Sequence, residues 1–302
     1  MRKHFSKYIE QFAIENDDFV FITGDLGYKA LEGVAQNLGN RFINAGVAEQ
    51  NMIGMAAGMA YKGFRVLCYS IAPFIVYRCL EQIRNDVCFH DLPVTIVGNG
   101  GGYGYGIMGS SHHTLDDIAC LSGLPNITCY IPAFLEDMNS SLDTIFANQR
   151  PAYLRLGLGK NIPDTLSVKE YGAIAKGSNV NLTIIVQGPV ANNVLEALRG
   201  NKHSTKIDLF VLNKMPVRSL PDELRMSIER TKKALVVEEH ITVGGLGSAI
   251  SLLINEGALP LQKFVSLRAE GYPNGLFGSQ TYHYEVSGLD SKNISKQIDS
   301  FF

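Results

Sequence analysis

The stretch NAGVAEQNMIGMAAGMA, residues 44–60, is the segment from which the rest of the chain is interpreted. A short apolar strand at 41–43 leads into it, and the pattern predicts a helix over about 48–61. Glu49 stands in the first turn of this helix, where the helix dipole favours negative charge. Gly54 and Gly58 fall on one helical face, although each glycine costs roughly 1 kcal/mol against alanine. We therefore expect another backbone or a flat ligand to approach that face closely.

Strands and helices alternate through the first half of the chain. Apolar runs predict strands at 18–23, 41–43, 65–69, 93–97, 127–130 and 152–156. The segments between them predict helices at 4–16, 48–61, 74–89 and 133–148. This alternation indicates βαβ units and a parallel sheet.

The second half repeats the alternation after an interruption. Strands are predicted at 182–186, 207–212, 234–238 and 264–267, with helices near 190–199, 222–230 and 246–255. Between the halves, glycines, Pro163 and polar residues predict a linker with few contacts. The fold prediction is an α/β protein of two domains, residues 1–158 and 179–302, joined by a linker at 159–178. Each domain is expected to hold a mostly parallel sheet flanked by helices.

Composition limits the classes of function. The chain has 302 residues and a formal net charge of -2, which gives no electrostatic reason to expect binding to nucleic acid or to an anionic membrane. No apolar run approaches the roughly 18 residues that span a bilayer. The five cysteines are odd in number and never spaced Cys-x-x-Cys, so we expect reduced thiols in a cytoplasmic protein.

Residues 44–60 resemble the pyrimidine-binding domain of thiamine-diphosphate enzymes of the transketolase type. In that family a Gly-x-Ala-Glu-Gln-Asn run places a catalytic glutamate at a helix start, and here this residue is Glu49. The resemblance covers about residues 1–285 and implies a pyrimidine-binding domain followed by a transketolase C-terminal domain. It also implies that the Glu49 carboxyl group hydrogen-bonds the pyrimidine ring of thiamine diphosphate. The alternative is a first-turn glutamate that only suits the helix dipole.

The same resemblance implies an aromatic ring that stacks on the pyrimidine after the third strand. Phe74 is the candidate and Tyr77 is the reserve. Counting back without gaps from Glu81-Gln82 instead selects Ile75. A role for Phe74 in the core is the alternative.

A glycine-rich loop at 98–113 corresponds to the family's substrate loop, which ends Asp-Gly-Pro-Thr-His-Gln in transketolases and deoxyxylulose-phosphate synthases. Here the loop ends MGSSHH, residues 108–113. His112 falls on the family's histidine, so the resemblance implies that it is catalytic and contacts the substrate. His113 replaces the glutamine and Met108 replaces a substrate-binding aspartate, so both are candidate substrate contacts. Structural roles are the alternatives for His112 and His113.

Residues 151–159 match a family segment that carries a phosphate-binding arginine near its end. Leu158 stands at that place, while Arg155 matches an earlier arginine of the synthases and is a candidate substrate-binding residue. Together with Met108, this departure points to an unusual small sugar substrate.

No catalytic or nucleotide-binding role is assigned to two glycine-rich motifs. Residues 104–109 match Gly-x-Gly-x-x-Gly, but the preceding strand ends near Val97, too early for a dinucleotide fingerprint. The glycine turn after residues 235–240 corresponds to a structural part of the transketolase C-terminal domain that contributes to subunit contacts. His240 is a further candidate at the mouth of the active site.

The motif that holds the cofactor's diphosphate is missing. Thiamine-diphosphate enzymes bind the diphosphate and Mg²⁺ with Gly-Asp-Gly and a later Asn-Asn, and no Gly-Asp-Gly occurs in this sequence. The chain itself is therefore predicted to bind no metal. The resemblance implies a separate N-terminal transketolase-like subunit that supplies this site. It further implies an α2β2 assembly with the cofactor at the subunit interface.

The predicted function is that of the C-terminal subunit of a split transketolase-like enzyme. It would transfer a two-carbon ketol unit, or a related acyl anion, from a ketose donor to an aldehyde acceptor. The first alternative is the β subunit of a 2-oxoacid dehydrogenase, which shares the two-domain layout. The second alternative is a non-catalytic scaffold subunit, against which the presence of Glu49 and His112 argues.

Overall fold

The computed structural model describes residues 1–27 and 30–302 and contains two sheets, each built mainly from one half of the chain. The strands of the first half are β1 (Phe19–Thr23), β2 (Phe42–Asn44), β3 (Arg65–Ile71), β4 (Val94–Asn99), β5 (Thr128–Tyr130) and β6 (Ala152–Leu156). Its helices are α1 (Arg2–Glu15), α2 (Glu32–Leu38), α3 (Glu49–Tyr61), α4 (Ala72–Tyr77), α5 (Leu80–Gln82), α6 (Asp117–Ser122) and α7 (Leu135–Asn148). Short 3-10 helices cover Gly39–Arg41 and Gly106–Met108.

The second half contains the remaining strands and helices. Its strands are β7 (Ser167–Lys169), β8 (Gly172–Ala175), β9 (Leu182–Gln187), β10 (Ile207–Leu212), β11 (Lys214–Met215), β12 (Lys233–Glu238) and β13 (Lys263–Leu267). Its helices are α8 (Ala191–Arg199), α9 (Asp222–Thr231), α10 (Leu246–Glu256), α11 (Gln280–Ser287) and α12 (Ser291–Asp299), with a 3-10 helix at Ser204–Lys206.

Both sheets are mostly parallel, which confirms the predicted fold class. The first sheet has the order β11-β5-β6-β4-β3-β1-β2, and every pair in it is parallel except β11 with β5. The second sheet has the order β13-β12-β9-β10-β8-β7 and is parallel from β13 to β10. Strands such as β1, β6 and β9 are buried along their whole length because helices cover both faces of the sheets.

The segment 159–178 is not the contact-poor linker that its composition suggested. Strands β7 and β8 form a hairpin within it, and β8 pairs antiparallel with β10 through partners such as Ile174 and Phe210. The linker prediction is therefore wrong for residues 167–175, which form the edge of the second sheet. The short strands escaped notice because Gly172, at φ +135°, interrupts the apolar pattern where the hairpin turns.

Strand β11 connects the two halves. It lies in the sequence of the second half, yet Lys214 and Met215 pair antiparallel with Tyr130 and Cys129 of β5 in the first sheet. Its two residues carry no periodicity, so the sequence offers no signal for it. The first sheet is therefore completed by a strand from beyond the predicted linker.

The predicted helix at 74–89 is broken in the structure. Helix α4 starts at Ala72, because Pro73 suits the first turn of a helix, and it ends at Tyr77. Helix α5 and a π-helical segment at Ile83–Cys88 follow. Arg78 lies at the break, and π-helical segments often occur next to functional sites.

Four of the five cysteines are core residues. All five are free thiols; Cys68, Cys79, Cys88 and Cys129 are buried and Cys120 is partly buried. Burial raises the pKa of the Cys79 and Cys88 thiols to about 12, so these thiols remain protonated at neutral pH. Within the described residues, no helix is long and apolar enough to cross a membrane.

Candidate active site

The candidate site lies at the carboxyl edge of the first sheet. Parallel strands β1, β3 and β4 end side by side at Thr23, Ile71 and Asn99, and the segments that follow them meet there. Ligands bind at this edge in open α/β sheets, because loops and helix N-termini converge on it. The helix that starts at Glu49 opens onto the same edge.

Glu49 is the first residue of α3, and its side chain is only 3% exposed. Its Oε1 accepts a hydrogen bond from the Ser70 hydroxyl at 3.2 Å, and its Oε2 pairs with Arg78 Nη1 at 2.9 Å. The turn after β1 passes close by, since a Cβ added at Gly24 would lie 3.5 Å from Glu49 Oε1. The Glu49 carboxylate therefore lies among Ser70 of β3, Arg78 after α4 and the turn that follows β1.

Phe74 and Arg78 form the wall next to this carboxylate. The Arg78 guanidinium carbon lies 4.1 Å from the centroid of the half-buried Phe74 ring. One planar cation thus contacts the carboxylate with its edge and the aromatic ring with its face. Sequence reasoning did not single out Arg78, although it is the first residue after α4.

The structure separates the three candidates for the stacking residue. Ile75 is fully buried in the core against β4, so the proposal that it faces the cofactor is wrong. The reserve, Tyr77, hydrogen-bonds through its hydroxyl to Asp116 next to α6. Phe74 alone lies against the group that holds Glu49.

His112 lies on the other side of Phe74. The ring centroids of His112 and Phe74 are 5.1 Å apart in an edge-to-face arrangement, and those of His112 and Tyr105 are 5.8 Å apart. Its Nδ1 is 3.0 Å from the Ser111 hydroxyl, and its ring is only partly buried. The other ring nitrogen, Nε2, does not take part in this hydrogen bond.

His113 points into the protein, so its prediction as a substrate contact is wrong. Its Nε2 donates to the Gly106 carbonyl at 2.6 Å, and its Nδ1 accepts from the Tyr272 hydroxyl at 2.8 Å. Burial lowers the pKa of His113, which keeps the ring neutral in this role. The residue fastens the glycine-rich loop onto the second half of the chain.

Met108 ends the 3-10 helix of that loop and is 54% exposed. A thioether offers no strong hydrogen bond to a sugar hydroxyl. The loop that carries Met108 packs against 278–280, where a Cβ on Gly106 would lie 3.1 Å from the backbone nitrogen of Gln280. The Gly-x-Gly-x-x-Gly match thus ends in this 3-10 helix rather than opening an α-helix as a dinucleotide site requires.

Arg155 is buried beneath the loop, so its prediction as a substrate-binding residue is also wrong. Its Nε lies 3.2 Å from Asp117 Oδ2, and its Nη2 donates to the carbonyls of Thr114 and Glu239. A Cβ on Gly101 would come within 2.3 Å of Arg155 Nε, so only glycine lets the loop cross it. The guanidinium joins the two halves of the molecule.

His240 is likewise an interior residue and not part of the mouth of the site. It is 1% exposed, its Nδ1 donates to the Ile241 carbonyl, and its Nε2 accepts from Ala119 N–H. Burial lowers its pKa, in keeping with a neutral ring. The preceding Glu238 caps α10 by accepting from the N–H groups of Leu246 and Gly247 at 2.6 and 2.8 Å.

A basic cleft that the sequence reasoning missed adjoins the site. It has a volume of about 610 Å³, and the first turns of α1 contribute the basic side chains Arg2, Lys3, His4 and Lys7 to its lining. Tyr105, whose hydroxyl accepts from Asn99 at 2.8 Å, and Leu158 also line it. Tyr105 therefore connects the cleft to His112. The sequence does show a basic run at residues 2–7. This run is far along the chain from Tyr105 and Leu158, which line the same cleft.

Comparison with known proteins supports the family that residues 44–60 resemble. The transketolase pyrimidine-binding domain family matches residues 1–160, and the transketolase C-terminal domain family matches residues 171–294. An apulose-4-phosphate transketolase subunit of Phocaeicola vulgatus is 29% identical over 99% of this chain and 96% of its own length. A putative transketolase C-terminal section of Methanocaldococcus jannaschii is 31% identical over 99% of this chain and 95% of its own.

A solved structure agrees over the whole chain. The split-gene transketolase described as an inactive β4 tetramer superposes with a TM-score of 0.83 at 25% identity, covering 99% of this chain and 97% of that one. The predicted family resemblance is thereby confirmed in both halves. The chain belongs to the transketolase family.

Proposed function

We propose that this chain is the C-terminal subunit of a split, thiamine-diphosphate-dependent transketolase-like enzyme that moves a two-carbon ketol unit from a ketose to an aldehyde. The observation that carries the proposal is the buried Glu49 carboxylate beside the Phe74 ring, with His112 on the far side of that ring. The relatives named as a transketolase subunit and as a transketolase C-terminal section support a subunit of this type.

The residues present fit the pyrimidine end of the cofactor. The contacts of Arg78 support this fit, because its flat, nitrogen-bearing guanidinium pairs with Glu49 and lies over the Phe74 ring at the same time. When bound, thiamine diphosphate supplies the carbanion chemistry at its thiazolium ring. Glu49 would hold the pyrimidine edge through a hydrogen bond, and Phe74 would hold its face.

His112 would act on the substrate. Its ring lies against Phe74 and Tyr105, at the junction between the proposed cofactor seat and the basic cleft. A histidine there can donate a hydrogen bond to a substrate hydroxyl or carbonyl oxygen. Ser111, bonded to Nδ1, fixes the orientation of the ring.

The remaining part of the cofactor site is assigned to a partner. The sequence contains no Gly-Asp-Gly, and in the described residues no cluster of three or more His, Cys, Asp or Glu side chains could hold a metal ion. An N-terminal transketolase-like subunit would hold the diphosphate and Mg²⁺, in an α2β2 assembly. The exposed glycine face of α3, where a Cβ on Gly54 or Gly58 would meet no described atom within 4 Å, suits close packing against such a subunit.

The basic cleft favours a phosphorylated sugar. Four basic side chains lie at the N-terminal end of α1, where the helix dipole also favours an anion. This placement supplies the positive charge that Leu158 does not, and it agrees with the phosphorylated sugar in the name of the Phocaeicola relative. Met108 stands where the family has an aspartate, and its thioether offers no strong hydrogen bond. The substrate hydroxyls would therefore be bound differently from those bound by an aspartate.

Reconstitution tests the proposal. The chain would be titrated with thiamine diphosphate and Mg²⁺ by calorimetry, alone and together with a transketolase N-terminal subunit that carries Gly-Asp-Gly and Asn-Asn. We expect tight binding only for the pair, and ketol transfer that is faster with a ketose phosphate than with the free ketose. Tight binding by the chain alone would contradict the divided site. Decarboxylation of a 2-oxoacid without ketol transfer would instead support the dehydrogenase alternative.

A further inference from the structure

Arg78 lies between the two groups to which the proposed function assigns the cofactor's pyrimidine ring. It follows α4 directly, pairs with Glu49 Oε2 at 2.9 Å and places its guanidinium carbon 4.1 Å from the Phe74 centroid. The space between Glu49 and Phe74 is called the pyrimidine seat here, because the proposed function places the pyrimidine ring in it. We propose that Arg78 fills this seat in the unpartnered chain and is displaced when the cofactor binds. This inference rests on the proposed function.

The chemistry of the two groups is similar. A guanidinium is planar, carries hydrogen-bond donors along its edge and stacks on aromatic rings with its face. An aminopyrimidine is also planar, bears nitrogen atoms along its edge and stacks in the same way. Arg78 therefore makes, within the chain, the pair of contacts that the pyrimidine would make with Glu49 and Phe74.

Arg78 covers the Oε2 side of Glu49 and lies over the Phe74 ring, so a ligand ring that contacts both groups requires that a present partner leave. Ser70, the partner of Oε1, is fully buried within β3 and cannot withdraw without disturbing the sheet. The Arg78 side chain is 46% exposed and stands on a break between helical segments. The exchangeable position is therefore Oε2, and Arg78 is the group that exchanges.

The seat would thus stay closed in the free chain and open only in the assembled enzyme. The Arg78 side of the ion pair is 46% exposed and a cation–π contact at such a site is weak, so a ligand that takes over the hydrogen bond to Glu49 and is also held at its diphosphate end can displace both contacts. The partner subunit would provide that second hold. Arg78 then acts as a positioning residue, which makes binding of the cofactor depend on assembly with the partner subunit.

The test compares binding of thiamine diphosphate and Mg²⁺ to the reconstituted pair by calorimetry. The variants are Arg78→Ala, Arg78→Lys and the control Arg225→Ala. Arg225 has the same 46% side-chain exposure and pairs with Glu229 at 3.0 Å, but it lies on α9 in the second half. We expect Arg78→Ala to bind the cofactor about tenfold more tightly than wild type, because it no longer has a seat to vacate. Arg78→Lys, which keeps the charge and loses the stacking plane, should lie between, and Arg225→Ala should match wild type.

A crystal structure of the loaded pair supplies a readout independent of affinity and of variant folding. We expect the Arg78 guanidinium to have left both Glu49 and Phe74. Arg78 still paired with Glu49 and stacked on Phe74 beside a bound cofactor would overturn the proposal, as would equal or weaker binding by Arg78→Ala. If the wild-type pair bound no cofactor at all, the proposed function itself would fall and this inference with it.

Discussion

Glu49 and Glu238 are both buried carboxylates at the N-terminus of a helix, one in each half of the molecule, and they are bound differently. Glu238 ends β12 and accepts backbone N–H groups from the first turn of α10. Glu49 begins α3 itself and is bound by two side chains, Ser70 and Arg78. Backbone donors in a helix cannot be exchanged for a ligand, whereas a half-exposed arginine can. Burial of an acid therefore does not identify a site, and the nature of its partners does.

Glu49→Gln in the reconstituted pair tests the functional side of this comparison and should have the largest effect. The variant keeps the shape of the side chain and loses the acid, so turnover should fall by about a thousandfold. Ketol transfer measured with a ketose phosphate gives the rate, and size-exclusion chromatography checks assembly. Glu238→Gln is the matched control and should keep its turnover. Near-normal turnover in Glu49→Gln would remove Glu49 from the mechanism.

Glu238→Gln tests the structural side through the dependence of stability on pH. Burial raises the pKa of Glu238 from 4.5 to about 7 in the folded protein. A raised carboxyl pKa means that the stability contributed by Glu238 is complete below about pH 4.5 and is lost as the pH rises through about 7. The free energy of unfolding of wild type, relative to Glu238→Gln, should therefore fall by about 3 kcal/mol over this range.

Urea unfolding of both proteins at several pH values between about 4.5 and 8 measures this difference. Glutamine removes the titration but leaves a carbonyl oxygen that can accept one of the two N–H groups. Parallel pH profiles for the two proteins would show that Glu238 does not titrate in this window. The difference between Glu238 and Glu49 would then lie only in their hydrogen-bond partners.

Ser70→Ala gives the smallest effect and refines the description of Glu49. Loss of the hydroxyl removes the bond to Oε1 from a fully buried position, which costs about 1 kcal/mol and should lower turnover less than tenfold. Ser141→Ala is the control, because Ser141 is equally buried and donates to the Asp137 carbonyl at 2.8 Å within α7. It should lose similar stability and keep full turnover. Equal turnover in the two variants would mean that Ser70 does not orient Glu49.

The sequence predicted the parts of the site that depend on local pattern. Glu49 and its helix follow from one continuous stretch, and the alternation of strands and helices predicts the carboxyl edge on which they lie. The separate roles of His112 and His113 do not follow, because adjacent residues in a loop share the same local signal. His113 is distinguished by Tyr272, which lies 159 positions away in the chain.

Arg155 shows the same limit in another form. Its match to a family arginine is local, but its surroundings come from Asp117 and from carbonyl groups in both halves of the chain. Arg78 was overlooked for the opposite reason, since an arginine after a short helix is ordinary until its contacts are known. Sequence reasoning agrees with the structure where an element depends on neighbouring residues, as for the helix that begins at Glu49, and it failed where the contacting residues are distant in the chain.

The two-residue strand β11 decides how the chain can be divided. The boundary between the two family matches, residues 160 to 171, looks like a place to cut the protein into independent domains. A fragment that ends there would lack Lys214 and Met215, and the edge of β5 would lose its hydrogen-bonding partner. Uncovered edges recruit strands from other molecules, so such a fragment is a template for self-association rather than a free domain. Both halves should therefore be expressed or engineered together, as one chain.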